Sequence, residues 1–205
     1  MAPSPDRNAT SESRFTALYN DLRQHPAPLL PPASPHEKSK THEISDLLVH
    51  PTLEVILHLL NNDLPSAHFL VRHMQAAPQY EGMYLHGILH RIEGDYDNAR
   101  AWYGDVADSD VFQAVWGHEG ARLEKARDFI QRVQDFKQGK CTEEKKQGLE
   151  QESAKEIEGV LQFCKDKFGT RRMDDVSDVW VQPTEGKVKD MKQDMLTGDK
   201  GHRKF

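Results

Sequence analysis

An all-α fold, a compact bundle of helical hairpins with disordered N- and C-terminal tails, is what this sequence predicts, and three patterns predict it. Apolar residues recur at helical spacing across 41–74. The pattern across 83–106 breaks once, at Gly94 and Asp95, and resumes at Tyr96. Two longer amphipathic runs follow, at 123–136 and 157–168. The expected organisation is a Pro-rich flexible region at 1–40, a helical domain of about six helices at 41–168 and a polar tail at 169–205.

The first forty residues hold a short amphipathic piece, with Phe15, Leu18, Tyr19 and Leu22 at helical spacing. The stretch HPAPLLPPASPHEKSK after it cannot form a regular helix, because proline lacks the backbone donor and fixes φ. It reads as a linker or a surface strap, and the Phe15 helix either docks as a cover or stays free. Ile44, Leu47 and Leu48 suggest a helix ending before Pro51. Thr52 is then expected to cap the next helix, with Leu53, Ile56, Leu57 and Leu60 on one face and Asn61 to Asp63 as its stop. Pro65 suits the start of a third, carrying Ala67, Leu70, Val71 and Met74.

In 83–106 a helix, a tight turn and a second helix packed back on the first make an αα-hairpin. Gly87 is expected to face Ala99, since small residues let two helical backbones approach. Val111, Phe112, Val115 and Trp116 form a short apolar face. Leu123, Ala126, Phe129, Ile130, Val133 and Phe136 then form a packing helix. Beyond Gly139 the charged run is expected to be solvated in its first half and to touch the core through Ile157, Val160, Leu161, Cys164 and Phe168. Past Gly169 only Trp180 and Val181 make a strong apolar pair, and the lysine-rich GKVKDMKQDM and GHRKF stretches read as solvated tail.

The chain has 205 residues, a formal charge of −6, 37% apolar and 29% charged residues. One core is affordable at that length, and the negative balance argues against a non-specific nucleic-acid binder. Cys141 and Cys164 have neither CxxC spacing nor a disulfide framework. On one continuous helix they would stand about 35 Å apart. With no membrane-spanning window and no apolar signal core at the N-terminus, a cytoplasmic or nuclear location is expected.

Gly87, Gly94, Tyr96, Ala99 and Tyr103 follow the order of the small, turn and aromatic positions of a tetratricopeptide repeat, and this stretch resembles one unit of that family. The hairpin before it resembles a second, with Leu64 and Ala67 where Tyr96 and Ala99 stand, so the resemblance covers about 52–107. It implies stacked hairpins with a groove that holds a protein or peptide partner. The string HGILHRIEGDYDNARAWY is also similar to one in a group of uncharacterised fungal and bacterial proteins with no assigned reaction. Where the repeat would place a leucine and a tyrosine on its first helix, this chain has His86 and His90.

His86 and His90 are one helical turn apart, so both imidazoles leave the same face, about 6 Å apart at Cβ. Two such rings can share one metal ion. Glu93 lies a further turn on and Asp95 follows in the turn, which makes a His, His, carboxylate set available for a divalent metal such as zinc. The glutamate of an HExxH motif is absent, and eleven histidines make an HxxxH spacing a modest signal. The bland reading is a pair of neutral, partly buried rings bonded to backbone or to carboxylates. His68 is the histidine best placed to join them, since His73, five residues on, points about 140° away on a helix. His58 is expected at a helix edge.

Arg91, Arg100, Asp97 and Glu93 read most simply as surface pairs, and Tyr84, Trp102 and Tyr103 as core or rim. No histidine lies near Cys164 in sequence to activate it. Three functions remain open at this stage. The first is an interaction or adaptor protein whose groove presents Met83, His86 and His90 with Arg91 at the edge. The second is a metal-dependent or histidine-based hydrolase or isomerase acting on a small polar substrate. The third is a subunit of a larger helical assembly.

Overall fold

Pro51–Leu60 is apolar round most of its circumference, with Glu54 and His58 on the remaining sector, and a helix of that kind has to be surrounded. In the computed structural model, which describes residues 10–140 and 142–181, every residue of this helix is buried. Numbered in chain order, the helices are α1 (Ser11–Leu22), α2 (Lys38–Ser45), α3 (Pro51–Leu60), α4 (Leu64–Val71), α5 (Tyr80–Glu93), α6 (Tyr96–Val106), α7 (Asp110–Trp116), α8 (Arg122–Lys137) and α9 (Lys146–Phe168). A 3-10 turn at Arg72–Met74 continues α4. Around α3 pack α1, α2, α4, α5 and α9; α6 closes on α5 and reaches α8, and α7 fits between α5, α8 and α9. Among the described residues the fold is all-α, as expected, with nine helices in place of about six. None of them is long and apolar enough to cross a membrane.

The chain's short polar residues start these helices. Thr10, Asp63, Asp95 and Ser109 each accept a hydrogen bond from the backbone N–H three residues on, which satisfies a donor that the helix leaves unpaired. The start of α3 differs from expectation. Pro51 begins that helix instead of merely ending α2, and the His50 ring accepts from Thr52 N–H. A missing N–H costs nothing in a first turn. Nor does α3 have one apolar face, because partners enclose it all round. Leu48 lies outside α2, at φ 50.

The hairpins α3–α4 and α5–α6 form where the turns were expected. Gly94 takes φ 89, and the N–H groups of Gly94 and Asp95 both donate to the carbonyl of His90. That left-handed step is cheap for glycine. The partner of Gly87 is not the expected one. A Cβ there would meet Tyr103 at 2.8 Å and Trp102 at 3.0 Å, one turn past Ala99. The close approach makes room for two large rings.

Both ends of the described chain are packed further out than the 41–168 boundary. Phe15, Leu18 and Leu22 of α1 are buried, so this helix is a docked cover. The proline-rich segment is a strap: His36 N–H donates to the Asn61 carbonyl, and Ser153 Oγ donates to the Pro28 carbonyl. At the other end Met173 N–H donates to the Leu48 carbonyl and Val181 N–H to that of His73. Val176 and Val179 are buried, and Trp180 lies against His73. The expectations for 1–9, 182–205 and Cys141 lie outside the described residues. In α9, Leu149, Ser153 and Glu156 carry the buried stripe back into the half expected to be solvated.

Candidate functional site

α4 packs on α5, and this contact brings His68 to His86 and His90. The Nε2 atoms of His68 and His86 are 3.2 Å apart. One ligand-competent nitrogen from each of the three rings falls in a group whose members all lie within 4.8 Å of one another. His86 and His90 stack at 4.7 Å between centroids, and the Trp102 ring stacks on the other face of His86 at 4.7 Å. Gly87 lets Trp102 come that close. His68 meets both other rings edge-on.

Glu93 stands behind the rings. Its Oε1 is 3.2 Å from His68 Nδ1 and its Oε2 3.5 Å from His90 Nδ1. Both are ion-pair distances without hydrogen-bond alignment, and among the described residues His90 Nδ1 has no hydrogen-bond partner. Asp95 Oδ2 is 3.8 Å from the same nitrogen, while both its oxygens serve Asn98 at the start of α6. The sequence reading made Glu93 a metal ligand. Its carboxylate instead lies on the far side of two imidazoles, and the third group beside His86 and His90 is His68.

Burial is graded across the cluster. His86 is 5% exposed, whereas the His68 and His90 side chains retain 17% and 14%. Burial, followed by the neighbouring His90 and His68, pushes the His86 pKa down to about 3, so this ring is neutral at pH 7. Burial works against the Glu93 carboxylate, but His68 and His90 outweigh it and hold its pKa near about 2. A neutral His86 ring beside two further imidazoles, with an ionised carboxylate behind them, is the kind of donor set that a transition ion selects.

Arg91 does not edge a groove. It is wholly buried on the opposite side of α5, where Nη2 donates to Glu156 Oε2 at 2.8 Å and to Ser153 Oγ at 3.1 Å, with the Phe129 ring 4.8 Å from Cζ. Tyr84 and Tyr103 hydroxyls donate to Glu156 Oε1, and Trp116 Nε1 donates to the Tyr84 hydroxyl. Met83 is buried too. The groove expected around Met83, His86, His90 and Arg91 is therefore filled except beside His90. His58 is no edge residue either: it is buried between Glu54 Oε1 at 3.7 Å and Asp63 Oδ2 at 3.4 Å.

Glu156, Glu54 and Asp63 were missed as buried acids. Glu156 was readable, because it precedes Val160 by one turn on the stripe that buries Cys164. Burial pushes the Cys164 thiol up to about 12 and keeps it unreactive. No protein-family model matches the chain, and no curated protein and no solved structure is detectably similar to it.

Proposed function

We propose that this chain is a metal-binding helical protein, holding one divalent transition ion such as zinc between its two central hairpins through His68, His86 and His90. The convergence of three imidazoles from two helices carries this reading. The 3.2 Å between His68 and His86 Nε2 is close to the edge of about 3.3 Å that two nitrogens span on a tetrahedral zinc with bonds near 2.0 Å. Without metal, a proton shared between those nitrogens occupies the same position, so ion and proton compete. The remaining pairs, within 4.8 Å, would close by side-chain rotation on binding.

The alternative of an adaptor with a peptide groove has less to stand on, because two of its four contact residues, Met83 and Arg91, sit in the core. An untagged preparation loaded with zinc, desalted and analysed for metal should carry about one ion per chain. The His86→Ala, His90→Ala double variant should carry less than about a tenth of that while keeping its helical circular dichroism. An empty wild type, or a variant that retains the ion, refutes the proposal.

A further inference from the structure

Two histidines close the proline-rich strap at its base. His25 follows α1 and His36 precedes α2, and their rings lie face to face, 4.2 Å between centroids and 13° between planes, with residues 26–35 looped out between them. Beside the stack, Lys40 of α2 pairs with Asp21 of α1 and, at 3.3 Å, with Glu37, which tethers the two ends of the loop. On the inner side of the loop the Pro28 carbonyl accepts from Ser153 Oγ of α9. His25 and Ala27 line a cavity of about 90 Å³ together with Leu60 of α3 and Ile157 and Leu161 of α9.

Neutral imidazoles stack, whereas two imidazolium rings at this separation repel. His25 is half-buried and His36 exposed, so protons reach both. The contacts of His36 suit the neutral ring. The Asn62 side-chain nitrogen lies 2.9 Å from its Nε2, and an amide N–H can only donate, so Nε2 accepts and a proton on it would break the contact. Burial, followed by His25, lowers the His36 pKa against the opposing effect of Glu37. Facing His25 are Tyr19 and Arg23 of α1 and Glu158 of α9. That one acid is already shared, with the Tyr19 hydroxyl at 3.4 Å and the Arg23 guanidinium at 3.8 Å. His58, at the α3–α4 turn on which the strap rests, works in the opposite sense. Asp63 and Glu54 raise its pKa against burial, so acid strengthens its contacts and the release has to come from the stack.

We propose that the strap is an acid-released lid: uptake of the second proton parts His25 from His36 and lifts residues 26–35 off α9 and the α3–α4 turn, which opens the cavity while the Lys40 bridge keeps the loop attached.

Amide exchange followed by NMR on the full chain, at about pH 7.5 and about pH 5, tests this, because the His36 N–H donates to the Asn61 carbonyl only while the strap is down. Corrected for the intrinsic rate, its opening constant should rise about tenfold in acid, near the limit set by one proton that the closed pair refuses and the open chain accepts at its ordinary value. The Gln138 N–H, bonded to Gln134 at the end of α8, should not follow it. His25→Phe keeps a flat ring in the stack, as the molecule itself does where His50 lies on Phe168 at 3.6 Å, and removes the second charge. His36→Gln removes the other. In each variant the acid-to-neutral ratio at the position-36 amide should fall below about twofold, whatever the substitution does to opening at neutral pH. A wild-type opening constant equal at the two pH values, a rise that Gln138 shares in full, or variants that keep the wild-type ratio overturn the lid.

Discussion

At the scale of the residue, Glu93 decides how well the site is organised. Its two oxygens hold Nδ1 of His68 at 3.2 Å and approach that of His90 at 3.5 Å, which turns the other nitrogens toward a common point. Replacing such a carboxylate typically costs 10- to 100-fold in metal affinity. Glu93→Gln should therefore lower zinc affinity by about that factor in a chelator competition, with one ion still bound at saturation. Complete loss of stoichiometry would instead mark Glu93 as a ligand. The sequence showed the His86–His90 face because helical spacing is local information. It did not assign Glu93 its role, since that depends on His68 arriving from another helix. His58 gives the pH-dependent counterpart. Burial opposes its charge, but Asp63 and Glu54 outweigh it and raise its pKa, while burial of Asp63 is outweighed by His58 and Thr41, which lower that carboxyl. A lowered acid stabilises above its unfolded value and loses that contribution as pH falls. A raised histidine stabilises below its unfolded value and loses it as pH rises through the folded one. The stability gap between wild type and Asp63→Asn in urea melts should thus be widest near pH 5 to 6, about midway between the unfolded values of the two groups. It should narrow on both sides, and a flat gap across pH refutes the pairing.

At the scale of the element, the α5–α6 hairpin is tuned by Gly87. Alanine is the better helix former by about 1 kcal/mol, so on propensity alone Gly87→Ala should stabilise. Its Cβ would lie 2.8 Å from Tyr103 and 3.0 Å from Trp102, and overpacking of this kind costs about 1–3 kcal/mol. Tyr103 has little freedom to retreat, because its hydroxyl is tied to Glu156 at 2.6 Å. The packing cost should win, giving a lower melting temperature together with weaker zinc binding as Trp102 shifts off His86. An unchanged or higher melting temperature would show that the rings yield. The turn at Gly94 was legible because a helix stop is written in a few adjacent residues. The facing partner of Gly87 was not, because which turn of α6 meets it depends on the crossing of two helices and on the buried Arg91–Glu156 pair beyond them.

At the scale of the whole molecule, the two straps decide what folds. A boundary at 41 and 168 follows composition, since proline and charge thin out the apolar pattern outside it. Composition does not register that α1 places Phe15, Leu18 and Leu22 into the core, or that Val176 and Val179 cover the far end. Burying one large apolar side chain contributes about 1.5–3 kcal/mol. Loss of these five residues therefore removes an amount comparable with the roughly 5–15 kcal/mol by which an entire domain is stable. It also uncovers Leu48 and His73 carbonyls that accept from the C-terminal strap, and Asn61, whose backbone and side chain hold the N-terminal one. A fragment spanning 41–168 should consequently lack a cooperative thermal transition or aggregate on expression, whereas one spanning 10–181 should melt cooperatively near the full chain and bind zinc with the same stoichiometry. Circular dichroism melts of the two fragments beside the full chain check this. A 41–168 fragment as stable as 10–181 would mean that the straps merely lie on a core that α3 to α9, with the end of α2, complete alone.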